Sequence, residues 1–228
     1  AEKKGEMTQA LEIYERVANQ TENRRMSALA RLALAKLQLA QGSITPEVAT
    51  EVLEHIRMAW RGDAVERAIL QDLIGIYTQN NRYDEVLRAR KALMDAFPTD
   101  PETLSNAGAM TSLFEELFST ELGADMPPLK ALSLFYEFRE LTPLGEKGDQ
   151  IVQGLANRLA AIDLLSRATQ LLEHQVKFRS TGETRSRIGA RLALLYLLNR
   201  QPQEALTVLE VTNFGSNEVG LQIQRQQL

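Results

Sequence analysis

Cysteine is absent from this 228-residue chain. That removes disulfides, thiolate metal sites and cysteine nucleophiles together, and it leaves both cytoplasmic and periplasmic surroundings open. Histidine is nearly absent: there are two, His55 and His174. No second histidine stands at the i, i+4 spacing that puts two imidazoles on one face of a helix, so both read as structural or solvated residues. Aromatic residues make up 6% of the chain, and the net charge is −4 with a pI near 5.4. There is no basic field to recruit nucleic acid or acidic lipid. Long apolar runs are missing as well. Leu29–Ala40 carries Arg31 and Lys36, and Leu192–Leu198 is flanked by Arg191 and Arg200. Neither reaches the ~18 uncharged residues of a membrane span. The opening AEKKGEM has charge but no apolar core after it, so it does not read as a signal peptide.

Catalytic constellations are lacking too. Leu144–Gly148 has glycines and a lysine but not the spacing or the Lys-Ser/Thr ending of a phosphate-cradling loop. Asp63, Asp84, Asp95 and Asp100 do not alternate as calcium ligands do, and no serine stands in a strand–turn–helix elbow. No catalytic residue, cofactor or metal is expected, and the chain reads as non-enzymatic.

What the chain does have is helical periodicity. In Leu70–Pro101, Leu73, Ile74 and Tyr77 form one apolar stripe, Asn80 and Asn81 break it, and Tyr83, Val86, Leu87 and Leu93 form a second that Pro98 closes. Two short helices joined by so tight a turn cannot bury both apolar faces alone, and they need a copy stacked on each side. Copies exist. Leu155, Ala156, Leu159, Leu165, Ala168 and Leu172 match Leu73, Ile74, Tyr77, Tyr83, Val86 and Arg90 in spacing. Leu192, Ala193, Tyr196, Pro202, Ala205 and Leu209 match again. Arg90 and Gln175 stand where apolar residues are expected.

Elsewhere the pattern is looser. Residues 5–19 carry the stripe Ala10, Tyr14, Val17, with Gly5 and Met7 placed where a turn is expected, so the chain reads as starting on the back half of a repeat inside a longer protein. Arg24–Gln41 forms a helix that Gly42 ends, and Thr45-Pro46-Glu47 supplies a hydroxyl cap, a first-turn proline and an acid for the next. Asp100-Pro101-Glu102 does the same further on. Residues 101–143 form a degenerate pair with the polar insertion STELGADM between its helices, and Phe114, Phe118, Met126, Leu129, Phe135 and Tyr136 are concentrated there. These are expected to fill the space that an irregular repeat leaves.

The copies together resemble the tetratricopeptide repeat, a helix–turn–helix unit of about 34 residues with small-residue and aromatic positions at these spacings. The resemblance implies an all-α fold, a right-handed α-solenoid of antiparallel helix pairs, with about five full repeats and a half repeat over 1–213. Residues 214–228 are a tail or the start of a further helix. It also implies that the first helix of each pair lines a concave groove for a protein or peptide partner. By spacing, that lining comprises Ala68, Gln71, Gly75 and Thr78, then Gln150, Gln153, Asn157 and Ala161, then Arg187, Ala190, Leu194 and Leu197. Among these Gln71, Thr78, Gln150, Gln153, Asn157 and Arg187, with Arg191 one turn beyond, are the candidate partner-binding residues. Only Asn157 and Arg187 suit the clamp that some members close on a C-terminal carboxylate, so amide hydrogen bonds to an extended or helical peptide fit better. The basic run Lys177, Arg179, Arg185, Arg187, Arg191 reads either as a site for an acidic peptide or as a solvated face. Alternatives to a binding module are a self-assembling homo-oligomeric scaffold and the non-catalytic regulatory part of a larger enzyme.

Overall fold

The computed structural model describes residues 2–20, 22–101, 103–213 and 219–228. All regular structure among them is helical, with twelve α-helices and two short 3-10 turns. The expected all-α repeat fold is what the chain forms, and it divides into two compact units, Ala1–Met110 and Thr111–Leu228.

The first unit holds α1 (Glu2–Ala18), α2 (Arg24–Ala40), α3 (Pro46–Ala59), α4 (Ala64–Gln79), α5 (Tyr83–Ala96) and the start of α6 (Thr103–Ser119). Each of α1 to α5 packs against the next. The second holds the rest of α6, then α7 (Pro128–Glu137), α8 (Glu146–Ala161), α9 (Leu165–Phe178), α10 (Gly182–Leu198), α11 (Pro202–Val211) and α12 (Val219–Gln226). There α7 to α11 pack in succession, and α12 lies on α10. The aligned apolar positions are core: Leu73, Leu155, Ala156, Leu159, Ala168, Leu172, Leu192 and Ala193 are all buried.

The start of α3 carries its expected cap, and α4 is capped by Asp63. Thr45 Oγ1 accepts from the Val48 amide at 3.4 Å, with Pro46 in the first turn of α3. Asp63 accepts from the Val65 amide at 2.8 Å and from Trp60 Nε1 at 2.8 Å, which fixes the entry to α4. The first-to-second helix turns are built alike four times. Ser43, Arg82, Leu164 and Gln201 donate their amides to the carbonyls of Gln38, Tyr77, Leu159 and Tyr196, five residues back, at 2.8–2.9 Å. The residue just before each donor, Gly42, Asn81, Asp163 and Arg200, has a positive φ of 55–68°. This is the left-handed closure of a helix C-terminus, which satisfies carbonyls that would otherwise lack partners.

The pair α6–α7 departs from that pattern, as the insertion requires. A 3-10 turn at Glu121–Gly123 follows Thr120, whose hydroxyl accepts from the Leu122 amide at 3.2 Å. Gly123 is obligatory there, since a Cβ would lie 2.0 Å from the Leu117 carbonyl oxygen. Phe114, Phe118 and Phe135 fill the space, with ring centroids 4.7, 6.0 and 6.3 Å apart, while Leu129 and Tyr136 stay exposed.

Two readings need correction and two cannot be fully placed. Gly5 and Met7 lie inside α1, whose helical backbone begins at Glu2, and not in a turn. Ala190, expected in the groove, is fully buried. Glu102 of the Asp100–Glu102 start lies outside the described residues, and Asp100 is ion-paired with Arg67. Of the tail, residues 214–218 lie outside the description and α12 follows. There Leu221 is buried, and Arg225 Nη1 donates to the Ser186 carbonyl at 2.7 Å.

Candidate functional surfaces

The first helices α8 and α10 carry most of the candidate partner-binding residues. Gln150 is exposed, its amide donating to Glu146 at 3.3 Å; Gln153 is half-buried; Asn157 is exposed. Arg187 is exposed and lies 3.6 Å from Glu183, while Arg191 is half-buried. Two of these are brought together directly. Arg191 Nε and Nη2 both donate to Asn157 Oδ1, at 3.0 and 2.7 Å, and tie α10 to α8. Gln71 and Thr78 are exposed on α4 of the first unit, where the Thr78 hydroxyl donates to the Ile74 carbonyl at 2.7 Å. A comparable tie runs between α2 and α4, from Lys36 Nζ to Asp72 Oδ1 at 2.8 Å.

The basic run does not form one patch. Lys177 lies over the Phe178 ring, Arg179 donates to the Pro143 carbonyl, Arg187 faces Glu183, and Arg191 is held on Asn157. The two unexpected polar positions are both satisfied in part. Gln175, buried, donates to Asp149 at 2.6 Å, and Arg90 Nη1 donates to Asn106 at 2.7 Å.

A finer correspondence links the two units. Ala49, Thr50, Leu53, Glu54, His55, Ile69, Leu73, Tyr77 and Asn80 recur 119 positions later as Ala168, Thr169, Leu172, Glu173, His174, Ile188, Leu192, Tyr196 and Asn199. The contacts recur with them. Thr50 and Thr169 hydroxyls donate to Glu47 and Ser166 carbonyls at 2.9 and 3.0 Å. Tyr77 and Tyr196 hydroxyls donate to Glu54 and Glu173 at 3.4 and 2.6 Å. Burial and the adjoining Glu54 carboxylate push the Tyr77 phenol up to about 12, and burial with Glu173 pushes Tyr196 higher still.

The cavities lie along the second helices. One of about 430 Å³ lies between α1, α2 and α3 and is lined by Asn19, Gln20, Arg24, Arg31, His55 and Trp60. Another, about 340 Å³, is enclosed by α7, α8 and α9 and lined by Tyr136, Arg139, Glu140, His174 and Arg179. A third, about 440 Å³, between α9, α10 and α11, mixes Glu173 and Glu204 with Lys177 and Arg185. Spacing alone missed these, because three helices contribute to each. The signal that points to two of them is the repeated Leu-Glu-His at 53–55 and 172–174.

No family model and no curated protein matches the chain. Among solved structures it is similar to BtubC (BKLC) from P. vanneervenii, at 12% identity over 98% of this chain and 91% of that one, with a TM-score of 0.37. It is also similar to a tetratricopeptide repeat protein from Parabacteroides merdae, at 13% identity over 98% and 93%, with a TM-score of 0.39. A third is a kinesin light chain with nearly identical TPR-like repeats from Podosopora anserina, at 19% identity over 92% and 100%, with a TM-score of 0.32. The repeat architecture of the present chain rests on its own helix pairs and on the four matching turns.

Proposed function

We propose that this chain is a protein-interaction module that receives an extended peptide segment on the surface of its first helices, centred on α8 and α10. The observation that supports this reading is the Asn157–Arg191 pair. Two hydrogen bonds from one guanidinium fix the Asn157 carbonyl oxygen and leave its amide N–H groups to offer. Gln150 and Gln153 precede Asn157 on the same helix face, two turns and one turn earlier. Side-chain amides so placed pair with the backbone of an extended segment, and a surface already ordered loses little entropy when it binds.

The reading is tested by affinity capture from a native extract with the parent chain and with the Asn157→Ala/Arg187→Ala variant, read by quantitative mass spectrometry. A defined set of proteins retained by the parent should fall by roughly tenfold with the variant, the loss of about 1.4 kcal/mol of binding. Equal recovery of the same proteins removes this face as the binding surface.

A further inference from the structure

We propose that the cavities beside His55 and His174 are two related anion pockets, each taking one carboxylate-bearing side chain of an acidic protein segment. They are distinct from the first-helix surface. Each lies between two successive second helices and over the first helix between them: α1 and α3 over α2, and α7 and α9 over α8. Each holds the histidine of a Leu-Glu-His sequence, and each holds two arginines.

The arginines are arranged alike although they come from different places in the sequence. In each pocket one is fixed by a backbone carbonyl of the preceding helix pair. Arg31 Nε donates to the Ala18 carbonyl at 3.2 Å, and Arg179 Nη2 donates to the Pro143 carbonyl at 2.9 Å. The other, Arg24 or Arg139, is exposed, as Arg31 is too, while Arg179 is half-buried. A held guanidinium keeps its fork in place for a planar two-oxygen acceptor, which is the geometry of a carboxylate. In a chain of net charge −4, the pocket beside His55 has no acidic lining residue among the described residues. The one beside His174 has Glu140.

The walls decide between a free anion and a side chain. Ala28, Ile56 and Trp60 line the first pocket, and Phe135, Tyr136 and Leu171 line the second. A bare inorganic anion leaves such walls wet, whereas an acidic residue next to an apolar one covers them and places its carboxylate between the arginines. The acidic Glu140 makes the second pocket the weaker of the two.

The chain has two histidines, one in each pocket, so two imidazole resonances report the two pockets separately. Protein labelled with 13C at histidine is titrated with a blocked heptapeptide of alternating glutamate and leucine. The glutamine–leucine counterpart and inorganic phosphate serve as separate arms. Both resonances should move with the acidic peptide, His55 at lower concentration, and neither with the glutamine peptide. Arg24→Gln, an exposed change, should remove the His55 response alone, and Arg139→Gln the His174 response alone. The assignment is overturned if neither resonance moves, if the glutamine peptide moves them equally, or if phosphate at matched concentration produces the full response.

Discussion

The hydroxyl of Tyr196 donates to Glu173 Oε1 at 2.6 Å, tying α10 to the helix before it, and Tyr77 holds Glu54 in the same way one unit earlier. Both phenols are held in the neutral form. Tyr77 loses its proton near pH 12 in the folded chain, because burial and the neighbouring Glu54 disfavour the phenolate. In the unfolded chain it does so near its ordinary value of about 10. Between those values the folded state keeps a proton that the unfolded state has released, so stability falls as pH rises from about 10 towards 12 and is untouched below. Two of the five tyrosines should therefore ionise late, together with loss of helical circular dichroism. Tyr77→Phe combined with Tyr196→Phe should flatten the alkaline decline. Five phenols titrating as one ordinary group would contradict the two buried contacts.

The left-handed turn residues carry strain that glycine would relieve. Arg200 has φ 58° in a turn where the matching residue of the first pair is Gly42. A left-handed conformation costs an L-residue roughly 1–2 kcal/mol, part of which glycine returns through its freer unfolded state. Arg200→Gly should raise the unfolding free energy by about 1 kcal/mol in a denaturant titration. Asn81→Gly should gain only a few tenths, roughly, because asparagine already tolerates this conformation. A loss of stability at Arg200 would show that its side chain supplies more than the backbone costs.

The helix pairs were legible because their periodicity is strong: Leu73, Leu155 and Leu192 each begin the same buried stripe, and Asn80–Asn81 mark a break. The turn closure was legible only in part, since its left-handed position is held by Gly, Asn, Asp and Arg in the four cases, and only the first two announce it. Ala190 was misplaced because an alanine fits a solvated or a buried face equally well in spacing, and neighbouring helices decide which. The pockets were hidden for a related reason. Arg24 and Arg31 come from α2 and His55 from α3, with Ala18 of α1 completing the lining, a relation that no single helix wheel contains. Yet the recurring Leu-Glu-His was on view, and weighing each histidine alone concealed it.

Two glycines in first helices should respond oppositely to alanine. A Cβ on Gly189 would lie 2.1 Å from Thr212 Oγ1 and 2.6 Å from its Cβ. Thr212 cannot yield freely, being buried, with its hydroxyl donating to the Val208 carbonyl at 2.5 Å and accepting from Arg225 at 3.2 Å. Gly189→Ala should cost about 1–3 kcal/mol, the usual price of overpacking. Gly75 in α4 is exposed and has nothing within 4 Å of its would-be Cβ. Gly75→Ala should gain about 0.5–1 kcal/mol by removing unfolded-state freedom from a helix interior. Thermal unfolding of the two variants beside the parent chain checks both signs at once.

The two ties between first helices differ in kind, and salt should separate them. Lys36–Asp72 joins two full charges at 2.8 Å, with the lysine largely exposed, whereas Arg191–Asn157 joins a charge to a neutral amide through two bonds. Exposed pairs of either sort contribute about 0.2–1 kcal/mol, so each is best read as the coupling term of a double-mutant cycle. At low salt both cycles, Lys36→Ala with Asp72→Ala and Asn157→Ala with Arg191→Ala, should show favourable coupling in that range. Raising the ionic strength to about 1 M shortens the screening length to about 3 Å and should erase most of the first term. The second depends on directed hydrogen bonds to an uncharged oxygen and should keep most of its value. Equal loss of both terms would mean that Arg191 acts through a diffuse field, and that the Asn157 amide is not held by it in solution.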